Sequence, residues 1–300
     1  MRADGLRGAA QAALSAWHAS RSEEVSDEQL RADAWVIAPH PDDEVLGCGG
    51  TIARKVTLGA RVRVCFLTDG SSSHEQWIEK SKLRELRKRE ARAACAKLGV
   101  AKDEVIFLDF EDGSLAAHVE EATTELRRCF ERSPGTEVYA PHHREEPEDH
   151  RAACWIARAA VRGLTAPSVY LEYPVWCWNE WPWIEVRRDR GALRTAARAA
   201  MGFTRSLRLL HECRWRVPIG EVRNQKKQAL EAHETQMFGL HGVEDCPTLS
   251  DVAGGEFLKR FFANHEIFLR YGAPPPPPSH HQDTKNVSAH QKNQWPKTST

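Results

Sequence analysis

Two short stretches of this chain hold residues that could do chemistry together. His40-Pro41-Asp42-Asp43-Glu44 sets one imidazole beside three carboxylates, and Asp149-His150 supplies a second acid–imidazole pair much later in the chain. A divalent metal in a catalytic site takes about three protein ligands and keeps a position for water. His40 and Asp43 can reach an ion from one turn. Asp42, pointing differently, can take a proton from water, and Asp149-His150 is the natural supplier of one more ligand. The bland reading of the first stretch is a helix N-terminus, with Asp42, Asp43 and Glu44 satisfying the dipole of a helix over 44–59. On this stretch alone both readings stand.

The elements that must position these residues are legible as apolar runs and helical spacing. Runs at 34–39, 61–70, 104–110, 137–141 and 168–176 predict strands. Between them, 44–59, 75–98, 115–132 and 149–163 carry helical patterns, several closed by glycine. Alternation of this kind predicts an α/β fold, a Rossmann-like, mostly parallel sheet with helices on both faces. Ligands of such sheets bind beyond the C-terminal strand ends. The reactive residues follow the predicted strands: His40 to Glu44, Asp69, Asp112, and His142 to His150. Residues far apart in the chain therefore converge on one rim. Later segments predict a strand at 213–220 and helices at 221–236 and 254–270. Residues 2–32 read as a helix and a charged approach segment.

Lys+Arg and Asp+Glu are 42 each, so the formal net charge is zero, which argues against a nucleic-acid or anionic-membrane binder. No apolar run approaches the roughly 18 residues of a membrane helix, and the N-terminus has no long apolar core of a signal peptide. The eight cysteines never form a CxxC pair, so zinc-knuckle and thioredoxin-like readings fall away and reduced thiols in a cytoplasmic protein are expected. From Pro274 a five-proline run leads into polar low-complexity sequence, predicting a disordered tail. The expected organisation is a helical extension at 1–33, one domain at 34–272 and the tail at 273–300. Oligomeric state is not legible.

The ordered set Ala38-Pro39-His40-Pro41-Asp42-Asp43-Glu44-Val45-Leu46-Gly47-Cys48-Gly49-Gly50, Thr68-Asp69-Gly70, Arg87-x-x-Glu90, Asp112-Gly113, Asp149-His150-Arg151-Ala152 and Lys226-x-x-Ala229-Leu230-x-x-His233-x-x-Gln236 resembles the PIG-L/LmbE family of zinc-dependent N-deacetylases. The resemblance spans about residues 34–240. It implies an LmbE-like fold, with His40, Asp43 and His150 as ligands of zinc (ferrous iron being the alternative) and Asp42 as general base. It also implies that Arg87 and Asp112 line or brace the polar site. The implied substrate is a small glycoconjugate bearing an N-acetylglucosamine-type acetamide. One position departs from the pattern. Where family members often carry an oxyanion-stabilising histidine, this chain has Pro147, which cannot donate; His142, His143 and His233 are the substitutes at hand. That departure keeps open a catalytically weak carbohydrate-binding accessory protein, and because substrate-facing loops rather than the metal motif choose the amide, a zinc amidohydrolase for a non-sugar amide also stays open.

Other motifs have competing readings. Tyr173 to Trp183 is rich in indoles, which could stack on sugar rings or sit at a lipid interface, or pack as an apolar flap. The nine arginines of 187–216 could hold a phosphate or pyrophosphate, or form a solvated helical face. Gly47-x-Gly49-Gly50 lacks the last glycine of a dinucleotide loop, since position 52 is Ile52. Ser71 to Ser73 beside His74 lack a nucleophile elbow.

Overall fold

A computed structural model describes residues 2–74, 76–164, 169–183, 192–243 and 246–272. The predicted disordered tail and the start of the arginine-rich run lie outside the described residues. The strands are β1 (Glu23–Glu24), β2 (Ala34–Ala38), β3 (Val62–Thr68), β4 (Val105–Phe110), β5 (Glu137–Pro141), β6 (Val169–Tyr173), β7 (Trp215–Pro218) and β8 (His265–Tyr271). The helices are α1 (Arg2–Ala19), α2 (Asp27–Leu30), α3 (Asp43–Thr57), α4 (Lys80–Lys97), α5 (Val119–Arg132), α6 (Glu148–Val161), α7 (Ala192–Glu212), α8 (Arg223–Glu231), α9 (Glu234–Met237) and α10 (Glu256–Phe261).

The sheet order is β1-β7-β8-β6-β5-β2-β3-β4. From β6 to β4 all neighbours are parallel, while β8 runs antiparallel between β6 and β7. The period-two alternation of each strand sends its side chains to opposite faces. Val36 and Val64 join a core with α3, α4 and α8, whereas Ile37 and Cys65 join one with α5 and α6. Both faces are covered, which is why β2 and β3 read as continuous apolar runs. The chain passes from β2 to β3 on one side and places β5 on the other. The crevice between the ends of β2 and β5 is therefore the switch point where such sheets bind ligands.

Two predicted helices came out differently. Residues 254–270 are a short α10 followed by β8, because 265–271 find backbone partners on both β6 and β7 and that pairing outweighs helical spacing. The helix predicted over 221–236 breaks around His233 into α8 and α9. The glycines of the first motif serve packing. A Cβ on Gly47 would lie 2.1 Å from the Tyr173 ring, and one on Gly50 would lie 2.4 Å from Ile219, so only glycine lets α3 lie flush on the sheet. The indole stretch also packs. Trp178 and Trp181 are buried edge to face, Arg260 lies over both rings, and Trp176 stacks on Phe257. Described arginines of the basic run are engaged locally, Arg208 with Glu212 and Arg216 with Glu24. All eight cysteines are free thiols.

Candidate metal and hydrolytic site

β2 ends two residues before His40, and α3 begins at Asp43, so the first motif is the connection at the switch point. Asp42 occupies the N-cap position of α3, yet its side chain makes no capping hydrogen bond. Its backbone is left-handed, with φ 120° and ψ −29°. An aspartate holds such a conformation only where its surroundings over-determine it. The capping reading therefore fails for Asp42, whose carboxylate is turned to other use.

Asp43 Oδ2 is the centre of the cluster. It lies 3.3 Å from His40 Nδ1 and 3.3 Å from His150 Nε2, and it accepts the backbone N–H of His40 at 3.0 Å. The 3.3 Å separations are long for hydrogen bonds. They match the edge, about 3.3–3.4 Å, of a tetrahedron whose centre-to-ligand distances are about 2.0–2.1 Å, the zinc–nitrogen range. His40, Asp43 and His150 thus fit a divalent cation. The far nitrogen of His40, Nε2, is 3.1 Å from Asp112 Oδ1 and 3.3 Å from Asp149 Oδ2. Its N–H is directed to carboxylates, which would leave Nδ1 free to hold a cation. Asp112 also accepts from Ser72 N, and Asp149 accepts from Gly113 N and Leu115 N, so these acids are braces with their lone pairs in use. On the other side, His150 Nδ1 lies 3.3 Å from Glu145 Oε2. Glu145 is itself fixed by the backbone N–H groups of Val175, Trp176 and Cys177.

The electrostatics follow burial. Burial, reinforced by neighbouring Asp43 and Glu44 against Arg87, pushes the Asp42 carboxyl well above the usual range. Burial also opposes the charge on Asp112, but His40 overrides it and holds that carboxyl at about 2. Arg87 is a buried guanidinium that donates to Ser73 Oγ, and its Nε has no partner among the described residues.

The predicted residues separate into those the fold brings together and those it does not. His40, Asp42, Asp43, Asp112 and His150 converge, and Arg87 faces the same acids electrostatically. His142 and His143 stack on each other and are bound elsewhere: His143 on Glu172 at 2.8 Å, and His142 beside Cys177 and Glu212. Burial lowers His142 to about 4, so it is neutral near pH 7 and tied into the β5–β6 edge. His233 is fully buried and donates to Glu44 Oε1 at 2.7 Å; it braces the turn from below. Pro147 is the N-cap of α6 and offers no side-chain bond there. Sequence reasoning missed Glu145 and the bracing role of Asp149; it named Gln236 in the last motif but not its bond to Asp42. Only the His150 neighbourhood hinted at Asp149, and nothing local singles out Glu145.

The chain is thus an α/β protein whose mostly parallel sheet carries, at its switch point, a His–Asp–His cluster that could hold a divalent cation and an uncapped carboxylate beside it. Comparison narrows this: residues 35–161 match the PIG-L family model, described as GlcNAc-PI de-N-acetylase. It is 26% identical over 160 residues, 50% of this chain and 82% of the relative, to the uncharacterised deacetylase YaiS of Escherichia coli K12. The fold is shared with the N,N′-diacetylchitobiose deacetylase of Pyrococcus horikoshii at TM-score 0.59 and 19% identity, covering 80% of this chain and 84% of that one. A conserved protein of Thermus thermophilus aligns at TM-score 0.54 and 25% identity, covering 83% and 97%. Among the described residues no helix is long and apolar enough to cross a membrane.

Proposed function

We propose that this chain is a metal-dependent N-deacetylase that hydrolyses the acetamide of an N-acetylglucosamine-type conjugate. The observation that carries the reading is Asp42: a buried carboxylate in a strained turn, released from capping, beside an Asp43 oxygen that lies 3.3 Å from one nitrogen of His40 and one of His150. A cation held by His40, Asp43 and His150, with zinc the ion of choice, supplies Lewis-acid polarisation and lowers the pKa of a water to about 7. Asp42 accepts the proton of the attacking water as its oxygen bonds to the acyl carbon. The same proton passes to the nitrogen as the C–N bond breaks, leaving acetate and a free amine. Burial raises the pKa of the Asp42 carboxyl, which makes it a stronger proton acceptor than a free carboxylate. Asp112 and Asp149 hold the His40 ring, Glu145 holds that of His150, and Arg87 is the buried cation beside Asp42 and Asp112.

The test is acetate release by zinc-loaded protein from a panel of N-acetylated glycosides, including N,N′-diacetylchitobiose and a glucosaminyl-inositol conjugate. Turnover of one panel member, lost on chelation and restored by metal, is the expected result. Metal-loaded protein that binds these sugars yet releases acetate from none would overturn the reading in favour of a binding protein. Turnover confined to non-sugar amides would retain the chemistry and replace the substrate class.

A further inference from the structure

The segment from His233 to Gln236 binds three acids, two of them, Glu44 and Asp42, at the turn after β2. His233 donates to Glu44, whose other oxygen accepts the backbone N–H of Asp42 at 2.9 Å. Thr235 anchors the segment to α4, giving its backbone N–H and its hydroxyl to the two oxygens of Glu90 at 2.9 and 2.7 Å. Gln236 Nε2 then donates to Asp42 Oδ2. One short segment therefore holds Asp42 twice, through its backbone by way of Glu44 and through its carboxylate directly. This supplies the over-determination that φ 120° requires.

The orientation of the Gln236 amide is set by chemistry. Against Asp42 in the ionised form that acts as base, its NH₂ faces the carboxylate, because Oε1 there would put two acceptors against each other. Oε1 is then left over. Gln236 is 4% exposed, and Oε1 is buried with no partner among the described residues. Buried acceptors are normally satisfied, so an orphan beside the proposed base points to a donor that arrives with the ligand. The scissile secondary amide carries such a donor on the atom that must receive the proton from Asp42.

We propose that Gln236 is the positioning residue for Asp42 and, through Oε1, accepts the N–H of the substrate amide, making the site selective for secondary amides over esters. The second half rests on the deacetylase reading; the hold on Asp42 does not.

The experiment uses the full chain with Asp42→Ala, Gln236→Met, the two combined, and Gln236→Glu. In thermal melts the double variant should lose at least about 2 °C less than the sum of the single losses, because contacting residues couple. Additive losses would overturn the hold on Asp42. With zinc content checked, acetate release is then followed from methyl N-acetylglucosaminide and from methyl 2-O-acetylglucoside. Gln236→Met should lower kcat on the amide at least about tenfold, with less change in KM, and lower the amide-to-ester ratio of kcat/KM by a similar factor. Gln236→Glu keeps an acceptor but repels Asp42, so it should lower kcat while retaining the amide preference. An unchanged ratio in Gln236→Met overturns the N–H recognition. No acetate from these compounds or from any of the N-acetylated glycosides named above with wild-type protein overturns the deacetylase reading and the recognition with it, while coupled melts still uphold the hold on Asp42.

Discussion

Asp42 offers a perturbation whose sign depends on backbone conformation alone. Asp42→Ala and Asp42→Gly both delete the carboxylate, the bond from Gln236 and the repulsion from Asp43. They differ in whether a Cβ must be carried at φ 120°. Holding a non-glycine residue there costs on the order of 1–3 kcal/mol. Glycine in turn loses about 0.4–1 kcal/mol through the greater freedom of its unfolded chain. The strain is the larger effect, so Asp42→Gly should be the more stable of the two by about 1–2 kcal/mol. That is a melting-temperature difference of roughly 2–5 °C in a chain of this size. At an ordinary helical or extended position the order would be reversed. Paired melts by circular dichroism, with both variants equally loaded with metal, decide it. An alanine variant at least as stable as the glycine variant would refute the claim that this turn stores strain. Both variants should lack acetate release whichever melts higher.

The metal reading predicts that His40→Ala and His150→Ala each lose stoichiometric zinc together with activity, which elemental analysis and acetate assay check side by side. Asp42→Asn should keep its metal and lose most turnover, whereas Asp43→Ala should lose the metal itself; interchanged phenotypes would reverse the assignment of the two carboxylates. Glu172, buried between His143 and Arg158, is held at about 2, so its contribution is complete above the usual carboxylate pKa and vanishes as pH falls through about 2. Glu172→Gln should therefore lower stability at neutral pH by roughly 3 kcal/mol and flatten its decline between about pH 4.5 and 2, read by urea melts across that range. The buried pair of Lys226 and Glu266 ties α8 to β8, with Glu266 also receiving Gly50 N and Thr51 N of α3. Lys226→Met should cost about 3–5 kcal/mol, and adding Glu266→Gln should recover part of it.

The amino-acid order by itself determined the layered α/β architecture, because strands buried on both faces must be short apolar runs and the helices between them must carry one apolar stripe. It also placed the reactive residues after strand ends, which is enough to put His40, Asp112 and His150 on one rim. What stayed illegible depended on partners distant in sequence. The choice of strand over helix for 265–271 was made by open backbone edges on β6 and β7. Whether Asp42 caps α3 or stands free was decided by a left-handed backbone angle held from a segment about 190 residues away. Glu145 became a brace for His150 only because the chain after β6 brings three N–H groups to its carboxylate. The histidines at 142, 143 and 233 had the right residue type and sequence neighbourhood for oxyanion donors. Buried carboxylates at Glu172 and Glu44 claimed two of them, because a buried imidazole takes the nearest charged acceptor that the packing offers.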